Sequence, residues 1–142
     1  MAKKQTKPTL PKLIKKLDAV FSRFIRLRDS NKKWMVKCPL CSWIGSWKDA
    51  QNMHFIKRFH KLFRFDEINC HAWCKRCNVM LDGNYMEYTL WMIDTYGLEK
   101  VKEMQQRQNE TKHWKTYEIE EMINYYSEQV KELAKEKGIS LK

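Results

Sequence analysis

The chain has 142 residues, and its 28 Lys and Arg outnumber 17 Asp and Glu, for a formal charge of +11. That length suits one domain with a modest core that gains from a metal staple, and the charge makes a polyanion, nucleic acid above all, the expected partner. No apolar run approaches a membrane span, and five cysteines behind the polar start Met1-Ala2-Lys3-Lys4-Gln5 argue against a secreted disulfide scaffold and for reduced thiols in a cytoplasm.

Residues 1–11, with Lys3, Lys4, Lys7, Pro8 and Pro11, read as a flexible basic arm, either tracking phosphates or only solubilising the chain. Over 12–30 the period becomes helical. Leu13, Ile14, Leu17, Val20, Phe21, Phe24 and Ile25 define one apolar face, and Lys15, Lys16, Arg23, Arg26 and Arg28 crowd the rest. Those cations form a solvated outer face or present charge to a DNA backbone. Asp29-Ser30-Asn31 ends the helix with turn chemistry.

Trp34-Met35-Val36 leads into Cys38-Pro39-Leu40-Cys41, and Trp43-Ile44 leads out, which predicts a zinc knuckle on a hairpin. Residues 51–56 read as a further short strand, followed by a basic loop from Lys57 to about Asp66. Ile68 to Trp73 reads as another strand or extended turn. The second cysteine pair, Cys74-Lys75-Arg76-Cys77, should open into a helix near Cys77 or Asn78, broken by Asp82-Gly83-Asn84. Two Cys-x2-Cys pairs about thirty residues apart suit a tetrahedral structural zinc held by Cys38, Cys41, Cys74 and Cys77. Cys70 is left as a buried thiol beside the site or, with His71, a substitute ligand.

Tyr85 to Tyr96 reads as a helix with Met86, Leu90 and Ile93 on its apolar side and Gly97 as its stop. Leu98 to about Gln108 is a shorter polar helix. Thr116 is the expected N-cap of a last helix whose stripe is Ile119, Met122, Ile123, Tyr126, Val130 and Leu133, closed by Gly138. The fold class is α+β, mostly helical, with a small zinc module in the middle.

Hydrolysis of a phosphodiester needs an activated water, a metal to hold charge and a site that orients both. His54, between the zinc pairs, is a suitable neutral base. Asn78 directly follows the last zinc cysteine, and its amide oxygen is a hard ligand suited to Mg²⁺. His54, then Asn69, then Cys-x2-Cys-Asn is the outline of an HNH, or ββα-metal, endonuclease. The neighbour of His54 is Met53, where such sites commonly carry an acid. Asp49, Asp66, Asp82 or water is then expected to complete the metal shell.

The run Arg64-Phe-Asp-Glu-Ile-Asn-Cys-His-Ala-Trp-Cys-Lys-Arg-Cys-Asn78, then Gly83-Asn84-x3-Tyr88, closely resembles the NinG/Rap recombination nucleases of lambdoid phages. The likeness extends to Phe24-Ile-Arg-Leu-Arg-Asp29, the first cysteine pair and His54 upstream, and to Tyr96-Gly97 and Trp114 to Glu121 downstream, covering about 17–134. A more distant likeness is to endonuclease VII-type resolvases. The resemblance implies a Mg- or Mn-dependent endonuclease that cleaves branched DNA such as Holliday junctions and D-loops, in the cytoplasm of a host cell. It implies His54 as general base, Asn78 as catalytic-metal ligand and Asn69 as a brace for the loop holding His54, with His71 and Asn84 as further site residues.

On this reading 12–142 form a single nuclease domain, with an N-terminal helix at 12–30, a zinc and ββα-metal core at 32–84 and helices at 85–138. Symmetric cutting of a junction calls for a homodimer, with the final helix as its interface. His71, in the same motif as Asn69, is the alternative base facing the same phosphate. Two other functions stand beside this one: a non-catalytic zinc-braced binder of branched or single-stranded DNA, and a zinc-braced regulator of a host protein.

Overall fold

The computed structural model describes residues 7–141. The molecule is mixed α+β and about half helical, in the order α1 (Leu10–Arg28), β1 (Met35–Lys37), β2 (Ile44–Ser46), β3 (Gln51–His54), β4 (Cys70–Trp73), α2 (Tyr85–Tyr96), α3 (Leu98–Arg107) and α4 (Thr116–Glu136). No described helix is long and apolar enough to cross a membrane.

The first helix begins at Leu10, inside the stretch expected to be a flexible arm. Pro11 sits in its first turn, where a missing N–H costs nothing, so proline opens this helix. The remainder of the expected arm, residues 1–6, lies outside the described residues. Leu13, Leu17, Phe21, Phe24 and Ile25 are buried as the period requires. They pack against Ile119, Ile123, Tyr126 and Val130 of α4, with the ring centroids of Phe21 and Phe24 each 4.9 Å from that of Tyr126. The apolar stripe of α4 is therefore consumed inside the chain. The cap of α4 is corrected. Lys115 holds the extended cap conformation (φ −88°, ψ 148°), and Thr116 is already helical with no side-chain cap.

Two antiparallel ribbons lie between these helices. β1 pairs with β2, and the first cysteine pair forms the loop between them. β3 pairs with β4, with Gln51 opposite Trp73, Met53 opposite His71 and His54 opposite Cys70. After β4 the expected helix is only a five-residue π-turn, Arg76–Met80. Asp82, Gly83 and Asn84 then run consecutively through positive φ (48°, 84° and 45°), a reversal no helix tolerates.

A second core forms under these ribbons from Met53, Phe55, Ile56, Phe63, Trp73, Tyr88, Met92, Val101 and Met104. Here the predicted face of α2 holds only at Ile93, which packs against this core. Met86 and Leu90 are exposed, while Tyr88 and Met92 face inward with half-buried Trp91 beside them. The aromatic side of the helix wins because Tyr88 and Trp91 pack on Trp73, each with a centroid separation of 4.6 Å.

Candidate functional site

A module of four cysteines is the frame. The Sγ atoms of Cys38, Cys41, Cys74 and Cys77 all lie within 4.8 Å of one another. Four thiolates about 2.3 Å from a tetrahedral zinc would stand roughly 3.8 Å apart. The observed Cys38–Cys77 and Cys41–Cys74 separations of 3.9 and 3.2 Å bracket that value, so these four could hold one zinc ion. Cys70 is buried and outside the cluster. Asn84 is tied to the module, since its Nδ2 donates to Cys77 Sγ at 3.7 Å and its backbone carbonyl accepts from Tyr88 N.

Beside the module is a cleft of about 490 Å³ lined by residues that include Asp18, Ser22, Arg26, Gln51, Asn52, His54, Lys57, Arg58 and Asn78. Three elements build it. Asp18, Ser22 and Arg26, four residues apart, form one polar stripe of α1. Asn52 and His54 alternate onto one face of β3. Asn78 comes from the turn fixed by the second cysteine pair. The structure therefore brings His54 and Asn78 into one cleft.

His54 Nε2–H donates to the carbonyl oxygen of Arg64 at 2.9 Å, which leaves Nδ1 with the lone pair. Burial lowers the imidazole pKa below its ordinary value, the Arg58 and Arg64 charges lower it further, and the Arg64 carbonyl and Asp18 oppose them. The ring is thus neutral at pH 7. The guanidinium of Arg64 is held in turn by Asp18 through Nε at 3.0 Å and through Nη2.

Asn78 Nδ2 donates to Gln51 Oε1 at 2.7 Å, so its Oδ1 is the atom left to accept. Asn52 Oδ1 is buried and has no hydrogen-bond partner among the described residues. Lys57 Nζ donates to the carbonyl and carboxylate of Asp82 at 2.8 and 3.2 Å, tying the loop after His54 to the turn after Asn78.

Asn69 is fully buried, and it holds the loop that follows His54. Its Oδ1 accepts from Ile56 N at 2.7 Å, and its Nδ2 donates to the carbonyls of Ile56 and Phe63 at 3.0 and 3.1 Å.

His71 is elsewhere. Side chains directly opposite across an antiparallel pair share a face, so His71 lies with Met53 on the side of the ribbon away from His54. The expectation that both histidines face one phosphate is corrected. Tyr88 O–H donates to the Met53 carbonyl at 3.0 Å, so His71 Nδ1–H donates to the Tyr88 oxygen at 2.8 Å. Nε2 accepts from Tyr96 O–H at 2.9 Å. Burial pushes this imidazole down to about 4.

None of the three carboxylates considered for the metal shell reaches the cleft. Asp49 is exposed, Asp66 caps the Ile68 and Asn69 amides, and Asp82 pairs with Lys57. The carboxylate that lines the cleft is Asp18, thirty-six residues before His54. Its helical spacing with Ser22 and Arg26 was the available signal. The part played by Arg64 rests on a backbone carbonyl, which leaves no mark in sequence.

The family model described as the bacteriophage lambda NinG protein matches residues 1–136. The chain is 30% identical over 122 residues to Protein ninG of Salmonella phage P22, and equally to Protein ninG of Escherichia phage 933W and of Enterobacteria phage VT2-Sa. Each match covers 84% of this chain and 57% of the relative, so the chain spans little more than half the length of these proteins. No solved structure matches it. With the family model extending over nearly the whole sequence, the chain belongs to the NinG family of phage proteins.

Proposed function

We propose that the chain is a structure-specific endonuclease that hydrolyses phosphodiesters in branched DNA such as Holliday junctions and D-loops. The observation that supports this most is the shared cleft of His54 and Asn78 among Arg26, Lys57 and Arg58. In this reading the β3–β4 ribbon and the turn carrying Asn78 are a reduced ββα-metal module.

The cleft suits the chemistry. Lys57, Arg58 and Arg26 attract the phosphate. His54 Nδ1 takes a proton from water as the water oxygen bonds to phosphorus, and the bond from phosphorus to one sugar oxygen breaks. The sugar oxygen leaves with a proton from solvent. The oxygens of Asn78 and Asn52 are hard donors, the type that suits Mg²⁺ or Mn²⁺. Such an ion, when bound, would stabilise charge on the phosphate and the departing oxygen. Asn69 acts through the loop it braces and is a positioning residue.

A non-catalytic branched- or single-strand-binding module is the second reading. Met53 is buried on the opposite face and the carboxylate of Asp18 is engaged by Arg64, so among the described residues no carboxylate lining the cleft is free for a metal. A labelled four-way junction beside a linear duplex of the same arms, incubated with Mg²⁺ or EDTA, separates the two. Metal-dependent nicks at the branch support the nuclease. Tight binding with no cleavage in either Mg²⁺ or Mn²⁺ supports the module.

A further inference from the structure

Directly after the cleft-lining cations Lys57 and Arg58 stands Phe59, which is 74% exposed. Its ring lies 4.2 Å from that of His60, centroid to centroid, so the loop holds an aromatic face in solvent. His60 and Lys61 follow, and a shallow depression beside them is completed by residues 108–113, including Lys112 and His113. The exposed ring thus follows Lys57 and Arg58 and precedes His60 and Lys61 in the chain, and across the depression lie Glu110, paired with Arg107, Lys112, paired with Glu118, and His113. Arg58 and Lys61 form no ion pair among the described residues. Lys57 is anchored to Asp82, and the backbone of His60 closes a turn onto the Lys57 carbonyl at 2.9 Å, so the loop has a defined shape.

A phenylalanine left in water forgoes burial, and a cationic loop suits neither a hydrophobic core nor a basic protein partner. An aromatic face among cations is how proteins hold unpaired bases: the ring takes the flat face of the base and the cations take the flanking phosphates. Met80, Met86 and Leu90 are exposed but aliphatic, and the other exposed aromatic rings, Trp34, Tyr85, Tyr117 and Tyr125, line neither the cleft nor the depression.

We infer that Phe59 is a stacking platform for an unpaired nucleobase, and that Lys57, Arg58 and Lys61 lead the attached strand into the cleft holding His54. This rests on the nucleic-acid reading above and gives it a source of structure preference. A base-paired duplex offers no free base face to Phe59, whereas a branch point or single-stranded arm does.

The test compares the wild-type chain with Phe59→Ala, Phe59→Trp and the control Met86→Ala. Each is titrated across a series of salt concentrations, from low to physiological, with a single-stranded oligothymidylate and with a hairpin duplex of equal phosphate number, and variants are compared at matched salt. Zinc content and thermal melting verify folding, and an exposed ring should alter neither much. Phe59→Ala should lose single-strand affinity by about tenfold, the scale of one lost base–aromatic stack, and duplex affinity by less than about twofold. Phe59→Trp should restore it, and the salt slope should not change because no cation is removed.

Equal losses on both probes, or none, would overturn the platform. If the wild-type chain binds neither probe at low salt, the nucleic-acid reading falls with it. If wild type cuts junctions and Phe59→Ala binds single strands unchanged, only the platform falls. If Phe59→Ala loses single strands while wild type cuts nothing, the nuclease reading falls and the platform stands.

Discussion

His54 gives its Nε2 hydrogen to the backbone carbonyl of Arg64, ten residues away, and the side chain of the same arginine is gripped by Asp18. The first bond fixes which ring nitrogen can accept a proton, and the ion pair fixes the segment that makes the bond. This links α1 to the candidate base through one residue that neither motif nor spacing singles out.

The consequence is a set of opposed pH shifts. The His54 pKa is lowered by burial, so cleavage should rise with pH below about 6.5, the ordinary imidazole value, and be flat above it. Asp18 raises that pKa and Arg58 lowers it. Asp18→Asn should therefore move the acid limb to lower pH, and Arg58→Gln should move it to higher pH. Asp18→Asn should also slow the plateau rate by roughly tenfold through looser positioning. Single-turnover rates across the acid limb, at saturating enzyme, check both directions.

His71 should matter to stability and not to chemistry. Its folded pKa, about 4, lies below the ordinary value of an unfolded histidine. Between those values the unfolded chain binds the extra proton, so the stability this residue contributes is complete above pH 6.5 and is lost as pH falls toward 4. The loss is on the order of 3 kcal/mol. Denaturant melts of wild type and His71→Phe between pH 7 and 5 should show a shallower decline in the variant. Junction cleavage by His71→Phe at pH 7.5 should stay within about twofold of wild type, because the ring lies on the far face of the ribbon.

Zinc should be part of the fold. Cys74→Ser removes one of four thiolates that close the module, and binding energy at such a site is folding energy. Metal analysis should find one zinc per wild-type chain and a loss in the variant, with melting shifted down. A native chain that carries no metal, and melts identically after chelation, would contradict this.

Much of the arrangement is legible in the residues themselves. The two Cys-x2-Cys pairs locate the sulfur cluster, the four α-helices follow their periods to within about two residues, and β3 and β4 fall inside the stretches 51–56 and 68–73 read as short extended segments. What sequence did not disclose comes from tertiary choice. Tyr88, Trp91 and Met92 outcompete Met86 and Leu90 for the interior of α2 because an aromatic cluster already waits on β4. His54 and His71 part company because an antiparallel register, which sequence leaves open, puts them on opposite faces. Asp18 enters the cleft through a contact forty-six residues long with Arg64.

Binding to DNA should be chiefly electrostatic. With +11 formal charge and cations around the cleft, affinity for a four-way junction should fall steeply from low to physiological salt, and a junction should outcompete a linear duplex. Fluorescence anisotropy across a salt series, with unlabelled duplex as competitor, measures both. An affinity indifferent to salt would contradict phosphate tracking.

The most direct measurement of the central claim sets wild type, His54→Ala and Asn78→Ala against one labelled four-way junction, scoring binding in EDTA and cleavage in Mg²⁺. The account predicts equal binding by all three proteins and nicking by wild type. His54→Ala should lose at least about 10²-fold of the cleavage rate, and Asn78→Ala should cut poorly but recover in part at raised Mg²⁺ or in Mn²⁺. Cleavage by His54→Ala at the wild-type rate, or no cleavage by wild type beside tight binding, would contradict it.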